Sequence, residues 1–280
     1  MGSSFELAAQ ELRDLDRDRF SASLVIPSEH RAAVQAIFAF SAEIAAVRER
    51  VSEPVPGEIR LQWWVEALEG EARGAISQNP VADALFKTLE TYALPAGPLV
   101  RLLAARRFDL YNDPMPDIGQ FEGYAGETVS VLYQYAAMIL AGGATDKPAD
   151  AAGHLGVAQA LIGHVRAFGY NASRGQLFLP LAIFKAHGVH EADIYAGRDS
   201  EALRAALAQI VDLARVHADK AASAVVALDA PLKPAFASSS LVDADIRAAD
   251  KLIATPFAQH PAPSPFTRLL SVIWWSLRAR

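Results

Sequence analysis

Asp109 and Asp113 stand four residues apart, a spacing that could do chemistry. On a helix, residues i and i+4 share a face, so both carboxylates could project together, as a magnesium-bridging pair must. Pro114 follows at once and ends such a helix. Asp14, Asp16 and Asp18 form a second acidic set, but Arg13, Arg17 and Arg19 alternate with them. Interleaved charges of this kind pair locally on a solvated helix face. His187 and His190 bracket Gly188-Val189, which reads as a surface turn, and two histidines without a third ligand make a poor zinc site. His164 and Arg166 lie on one helix and could face a pocket, though a satisfied core or surface pair is the better reading. Neither a glycine-rich phosphate loop nor a Gly-x-Ser-x-Gly elbow occurs. Spacing alone names no reaction.

The elements that must position these residues are helices. Ala33, Ile37, Phe40, Ile44 and Val47 recur at three and four, behind Pro27 and Ser28. Pro54, Pro56 and Gly57 are expected to interrupt the pattern before a run from Glu58 to Glu71, with Leu61, Trp64 and Leu68 on one face. Further helices are expected over Pro80–Leu94, Pro98–Leu110, Phe121–Leu140, Ala151–Phe168, Leu177–Ala186, Ser200–Ala227 and Asp243–Ile253, with breaks at Pro and Gly. Pro261, Pro263 and Pro265 introduce a last apolar segment ending in Ile273-Trp274-Trp275. No alternating run is long enough for a sheet, and no linker separates two halves. The expectation is one all-α domain over residues 1–280.

Composition agrees. Of 280 residues, 52% are hydrophobic and 21% charged, and alanine, the strongest helix former, supplies roughly a fifth. The formal net charge of −6 argues against nucleic acid as a partner, since phosphate binding needs a basic footprint. The absence of cysteine excludes disulfides, thiolate metal sites and a cysteine nucleophile. No stretch approaches the eighteen or so apolar residues of a membrane span. Glu6, Glu11 and Asp14 occupy the place of a signal peptide's basic start and apolar run. These features lead us to expect a cytoplasmic protein. Leu269, Leu270, Val272, Ile273, Trp274, Trp275 and Leu277, followed by Arg278 and Arg280, suit an interfacial helix peripheral to the inner membrane or, alternatively, a last core helix.

Three segments carry a likeness. They are Ala36-Ile37-Phe38-Ala39-Phe40 with Leu61-Gln62-Trp63-Trp64, the expected helix start Tyr124-Ala125-Gly126-Glu127, and Ala172-Ser173-Arg174-Gly175-Gln176-Leu177-Phe178-Leu179-Pro180. Together, and in this order, they resemble the squalene/phytoene synthase family. The resemblance implies a helical isoprenoid synthase bundle around a central apolar cavity. It also implies two aspartate-rich helices whose magnesium ions neutralise a departing diphosphate.

Laid on this sequence, the family's Ala-Phe-x-Arg and Asp-Asp-x-x-Asp fall at Ala39-Phe40-Ser41-Ala42 and then Ala45, Ala46 and Glu49. The second motif, Asn-x-x-Arg-Asp-x-x-x-Asp, falls on Gly163 to Asn171, where Arg166 keeps its place and the aspartates become Ala167 and Asn171. Alanine cannot ligate a hard cation. The implied metal site is therefore degraded, and no metal or other cofactor is expected. Phe40-x-x-Glu43-Ile44-Ala45, Val51-Ser52-Glu53, Gly57, Arg60, Gln62, Trp64 and the run from Phe178 to Val189 look like the mitochondrial complex I assembly factor branch of the family.

The resemblance yields two readings. One is a non-catalytic family member that binds an isoprenoid, another lipid or a protein partner, with a role in respiratory complex assembly. The alternative is an active head-to-head prenyltransferase using magnesium on a displaced carboxylate set, Glu43, Glu49 and Asp109. A residual pocket is expected near Glu43, Arg60, Tyr124, Glu127 and Arg174. The cavity, flanked by Phe38, Phe40, Val129, Leu132, Tyr133, Phe168 and Tyr170, is expected to be retained but shrunken, and to prefer an uncharged isoprenoid or acyl chain.

Overall fold

The computed structural model describes residues 2–71 and 76–279; Arg280, part of the expected basic end, lies outside the described residues. The first helices are α1 (Ser4–Leu15), α2 (Arg17–Ser23), α3 (Ser28–Ala45), α4 (Pro54–Glu69), α5 (Pro80–Thr91) and α6 (Gly97–Arg106). Next come α7 (Ile118–Ala125), α8 (Val131–Ala141), α9 (Ala149–Arg166), α10 (Phe168–Ser173) and α11 (Leu181–Ala186). Last are α12 (Glu191–Tyr195), α13 (Glu201–Val226), α14 (Ser239–Ala254) and α15 (Pro265–Arg278). No strand occurs among the described residues. The fold is all-α.

Local chemistry sets the helix ends. Ser3 and Glu6 exchange side-chain and backbone hydrogen bonds in a capping box that opens α1. Asp16, Asn79 and Ser200 cap α2, α5 and α13. Pro54 and Pro56 start α4 rather than interrupt it, because an N–H in the first turn has no intrahelical partner to lose. The helix expected from Phe121 to Leu140 is instead divided by a π-turn at Gly126–Ser130, so Tyr124 lies in the last turn of α7 and starts no helix. The helix expected from Leu177 begins at Leu181. Gly175 turns the chain there with φ of 69°, and Leu177 C=O accepts from Met115 N–H at 2.8 Å.

α3 is enclosed on most sides, with Val34, Ala36, Ile37, Ala39 and Phe40 fully buried. α9 packs along α13 and against the π-turn. A Cβ at Gly156 would sit 2.5 Å from Ser130 N and 2.6 Å from its Cα, so only glycine allows this approach. Apolar side chains from α1 to α14 merge into one core. Val272 of α15 sits in a smaller cluster with Ala22, Ala237 and Leu241, and Trp275 touches both this cluster and the main core.

Candidate functional site

Glu49, in the 3-10 turn Arg48–Arg50 that follows α3, meets α10 at the protein surface, which joins the positions of the two degenerate motifs. Tyr170 Oη donates to Glu49 Oε2 at 2.8 Å, and Arg174 Nη1 lies 3.5 Å from the same oxygen. The Arg174 guanidinium also sits 5.3 Å from the centre of the Tyr170 ring. Ala42 is buried, Ala45 exposed, and Ala46, Ala167 and Asn171 half-buried. A hard dication requires several oxygen ligands, carboxylates chief among them. Three alanines supply none, Asn171 brings no charge, and Glu49 is engaged. The residues present do not fit a magnesium ion.

Arg166, the charged survivor of the second motif, is held inside a four-residue network. Its Nη1 donates to Asp245 Oδ2 at 2.8 Å and lies 3.6 Å from Asp18 Oδ2. Arg268 of α15 grips the same two carboxylates, with Nη1 2.8 Å from Asp245 Oδ1 and Nε 2.5 Å from Asp18 Oδ1. Its Nη2 closes a second contact to each. Burial disfavours the Arg268 charge, but the bonds to Asp245 and Asp18 hold its pKa above the usual value. The network corrects one expectation. Asp16 pairs locally, with Arg19 at 2.7 Å, whereas Asp18 reaches across the whole chain instead of sitting on a solvated face.

Asp109 and Asp113 do not share a helix face. α6 ends at Arg106, Asp109 falls in a 3-10 turn, and Asp113 lies exposed in the following loop. Asp109 is buried, accepting from Arg106 Nη1 at 2.8 Å and from Tyr124 Oη at 2.6 Å. Burial, reinforced by Asp109, drives the Tyr124 phenol well above its ordinary pKa. His164 stacks on Phe178, ring centres 4.8 Å apart. Burial, with repulsion from Arg106, pushes it down to about 3, so it is neutral at neutral pH. His187 and His190 lie in the turn between α11 and α12, as expected.

The residues expected around a residual pocket are dispersed. Glu43 and Arg60 share a groove of about 550 Å³ on α3 and α4 with Arg50, Trp63 and Asn79. Burial raises the Glu43 pKa, partly offset by the hydrogen bond from Asn79. Tyr124 belongs to the buried Asp109 cluster, and Arg174 to the Glu49 contact. Glu127 lies 3.3 Å from Arg101 in another groove, which also holds the paired His154 and His217. Glu43, Glu49 and Asp109 thus have separate partners and form no common ligand set. Among the described residues, no group of three or more His, Asp or Glu is placed to hold a metal ion.

The aromatic side chains expected to flank a cavity pack on one another. Phe40 meets Trp64 edge-on at 4.9 Å, Tyr133 stacks on Phe236 at 6.1 Å and Phe168 on Phe184 at 5.8 Å. Phe38, Val129 and Leu132 are also buried, while Tyr170 is exposed. Gly163 is exposed, and an added Cβ there would meet nothing within 4 Å. Sequence reasoning missed Asp245, Arg268 and Arg106. A lone arginine in the apolar run from Phe266 to Leu277 was the available signal for Arg268.

Comparison with known proteins gives the same frame. A family model described as squalene/phytoene synthase matches residues 12–268. The chain is 32% identical over 226 residues to the Homo sapiens protein named NADH dehydrogenase (ubiquinone) complex I, assembly factor 6, covering 80% of this chain and 67% of that one. It is 23% identical over 237 residues to the 15-cis-phytoene synthase of Synechocystis sp., covering 81% and 70%. The squalene synthase HpnC from Alicyclobacillus acidocaldarius has the same fold, with a TM-score of 0.75 at 20% identity over 91% of this chain and 95% of that one. The ordered helices, the two joined motif positions and the length of the match agree: this chain belongs to the squalene/phytoene synthase family.

Proposed function

We propose that this chain is a non-catalytic family member that holds a protein partner, with an apolar lipid as a further ligand, and serves the assembly of respiratory complex I. One observation carries the reading. At the motif positions the carboxylates are replaced by Ala45, Ala46, Ala167 and Asn171, and the remaining charges, Glu49 and Arg166, are bound to Tyr170 and Arg174 and to Asp245 and Asp18. Such a site has few oxygens for a cation and few free cations for a diphosphate. No magnesium cofactor is therefore proposed. The similarity to assembly factors supports the choice of partner, and several residues of that likeness, Glu43, Arg60 and Trp64, line one groove.

The test has two arms. Farnesyl and geranylgeranyl diphosphate are incubated with the protein, with and without magnesium, and diphosphate release is measured. No release is expected, and chelator-sensitive release would establish the prenyltransferase reading instead. In the source organism, deletion of the gene is expected to lower assembled complex I on native gels; an unchanged level would remove the assembly role.

A peripheral membrane contact through α15 belongs to the same proposal. Among the described residues no helix is long and apolar enough to cross a membrane, so contact would be at the surface.

A further inference from the structure

α15 turns its apolar side outward. Phe266, Leu270, Ile273, Trp274 and Leu277 are between 41 and 68% exposed. At about 100° of rotation per residue they fall within a single arc of about 100°. The opposite arc carries Arg268 and Val272, both buried. A surface helix ordinarily lays its apolar stripe on the core. Here the core side is held by Val272 and the Arg268 network, which leaves the stripe without a partner among the described residues.

What lies beside the stripe indicates what covers it. A groove of about 700 Å³ runs between α13, α14 and α15, with Val225, Leu270 and Trp274 in its apolar walls. Lys233, Arg247 and Arg278 line it as well, against one carboxylate, Asp243. In a chain of net charge −6 this is a local reversal of sign. Ser239, 8% exposed, also lines the groove, and its hydroxyl has no hydrogen-bond partner among the described residues. The Arg278 guanidinium sits 4.3 Å from the centre of the Trp274 ring. That layout, an aromatic ring at the apolar–polar boundary with a cation beside it, suits the headgroup level of a bilayer.

We infer that the outer face of α15 and this groove are a seat for a bilayer rich in anionic phospholipid. The stripe lies among the acyl chains, headgroup phosphates meet Lys233, Arg247 and Arg278, and the Ser239 hydroxyl offers a hydrogen bond within the groove. This deepens the peripheral contact proposed above and rests on it.

The test is flotation of the full chain with vesicles of phosphatidylcholine alone and of phosphatidylcholine mixed with phosphatidylglycerol. Binding is expected to favour the mixed vesicles strongly. The double variant Lys233→Gln, Arg247→Gln should bind them about thirtyfold more weakly, from two cations at about 1 kcal/mol each. Trp274→Ser with Leu277→Ser should abolish binding to both, with an unchanged circular dichroism spectrum showing that the fold is intact. Equal binding to both vesicles, or an undiminished Lys233→Gln, Arg247→Gln variant, overturns the anionic seat and leaves the peripheral contact standing. No binding to either vesicle overturns both. Competition by inorganic phosphate beyond that of sodium chloride at equal ionic strength assigns the groove to a free anion and also overturns the proposal.

Discussion

The end of α9 and the outer face of α15 lie on opposite sides of Arg268, and they treat charge and apolar surface in opposite ways. At the end of α9, Arg166 and Arg268 share Asp18 and Asp245, so each charge, buried or half-buried, has partners of opposite sign. On the outer face, cations line a groove beside five exposed apolar side chains. At the end of α9 the charges serve as a structural joint, whereas the outer side of α15 leaves apolar surface open. The interaction surface must be sought where groups remain unsatisfied.

The comparison breaks most severely at Asp245. Asp245→Ala leaves Arg166 and Arg268 short of a carboxylate, and removing one member of a buried pair costs about 3–5 kcal/mol. Urea denaturation should show that loss, and a loss below 1 kcal/mol would mean the network is not a joint. Two glycines of α9 give the next effect. Gly156→Ala forces a Cβ against the Ser130 backbone and should destabilise by about 1–3 kcal/mol. Gly163→Ala, facing open space at the second motif, should stabilise by up to about 1 kcal/mol through helix propensity.

His164 supplies a pH dependence. The unfolded chain takes up its proton near pH 6.5, but the folded chain does so only near 3. Between these values the unfolded state binds more protons, so stability falls as pH is lowered, by at most about 1.4 kcal/mol per pH unit from this group. His164→Phe should flatten that part of the pH profile measured by denaturant titration; an unchanged slope from pH 6 to 4 would show that the ring is not held neutral. The smallest effect is expected outside. Trp274→Ser should alter stability by no more than about 0.5 kcal/mol, despite the size of the side chain. A large loss of Tm would make α15 a core helix after all and remove the contrast with the end of α9.

Much of the architecture was legible in the residues. The three-to-four recurrence of Ala33, Ile37, Phe40 and Ile44 specifies α3, and Leu61, Trp64 and Leu68 mark the buried side of α4, because helical periodicity is a local property. Boundaries were less legible. Pro54 and Pro56 can begin a helix or end one, and the π-turn at Gly126–Ser130 has no local signature; it accompanies the packing of α9 against Ser130.

The lack of a carboxylate at Ala45, Ala46, Ala167 and Asn171 was likewise legible in sequence alone, since no fold gives these side chains a negative charge. What the surviving charges do was not. Asp18 and Arg268 are 250 positions apart; Asp18 looks like an ordinary surface charge beside its neighbours, and the apolar run around Arg268 does not name its partner. Only the tertiary structure brings them together with Arg166 and Asp245. By placing Arg268 inward it also turns the apolar stripe of α15 toward solvent, for the two faces of one helix cannot both meet the core.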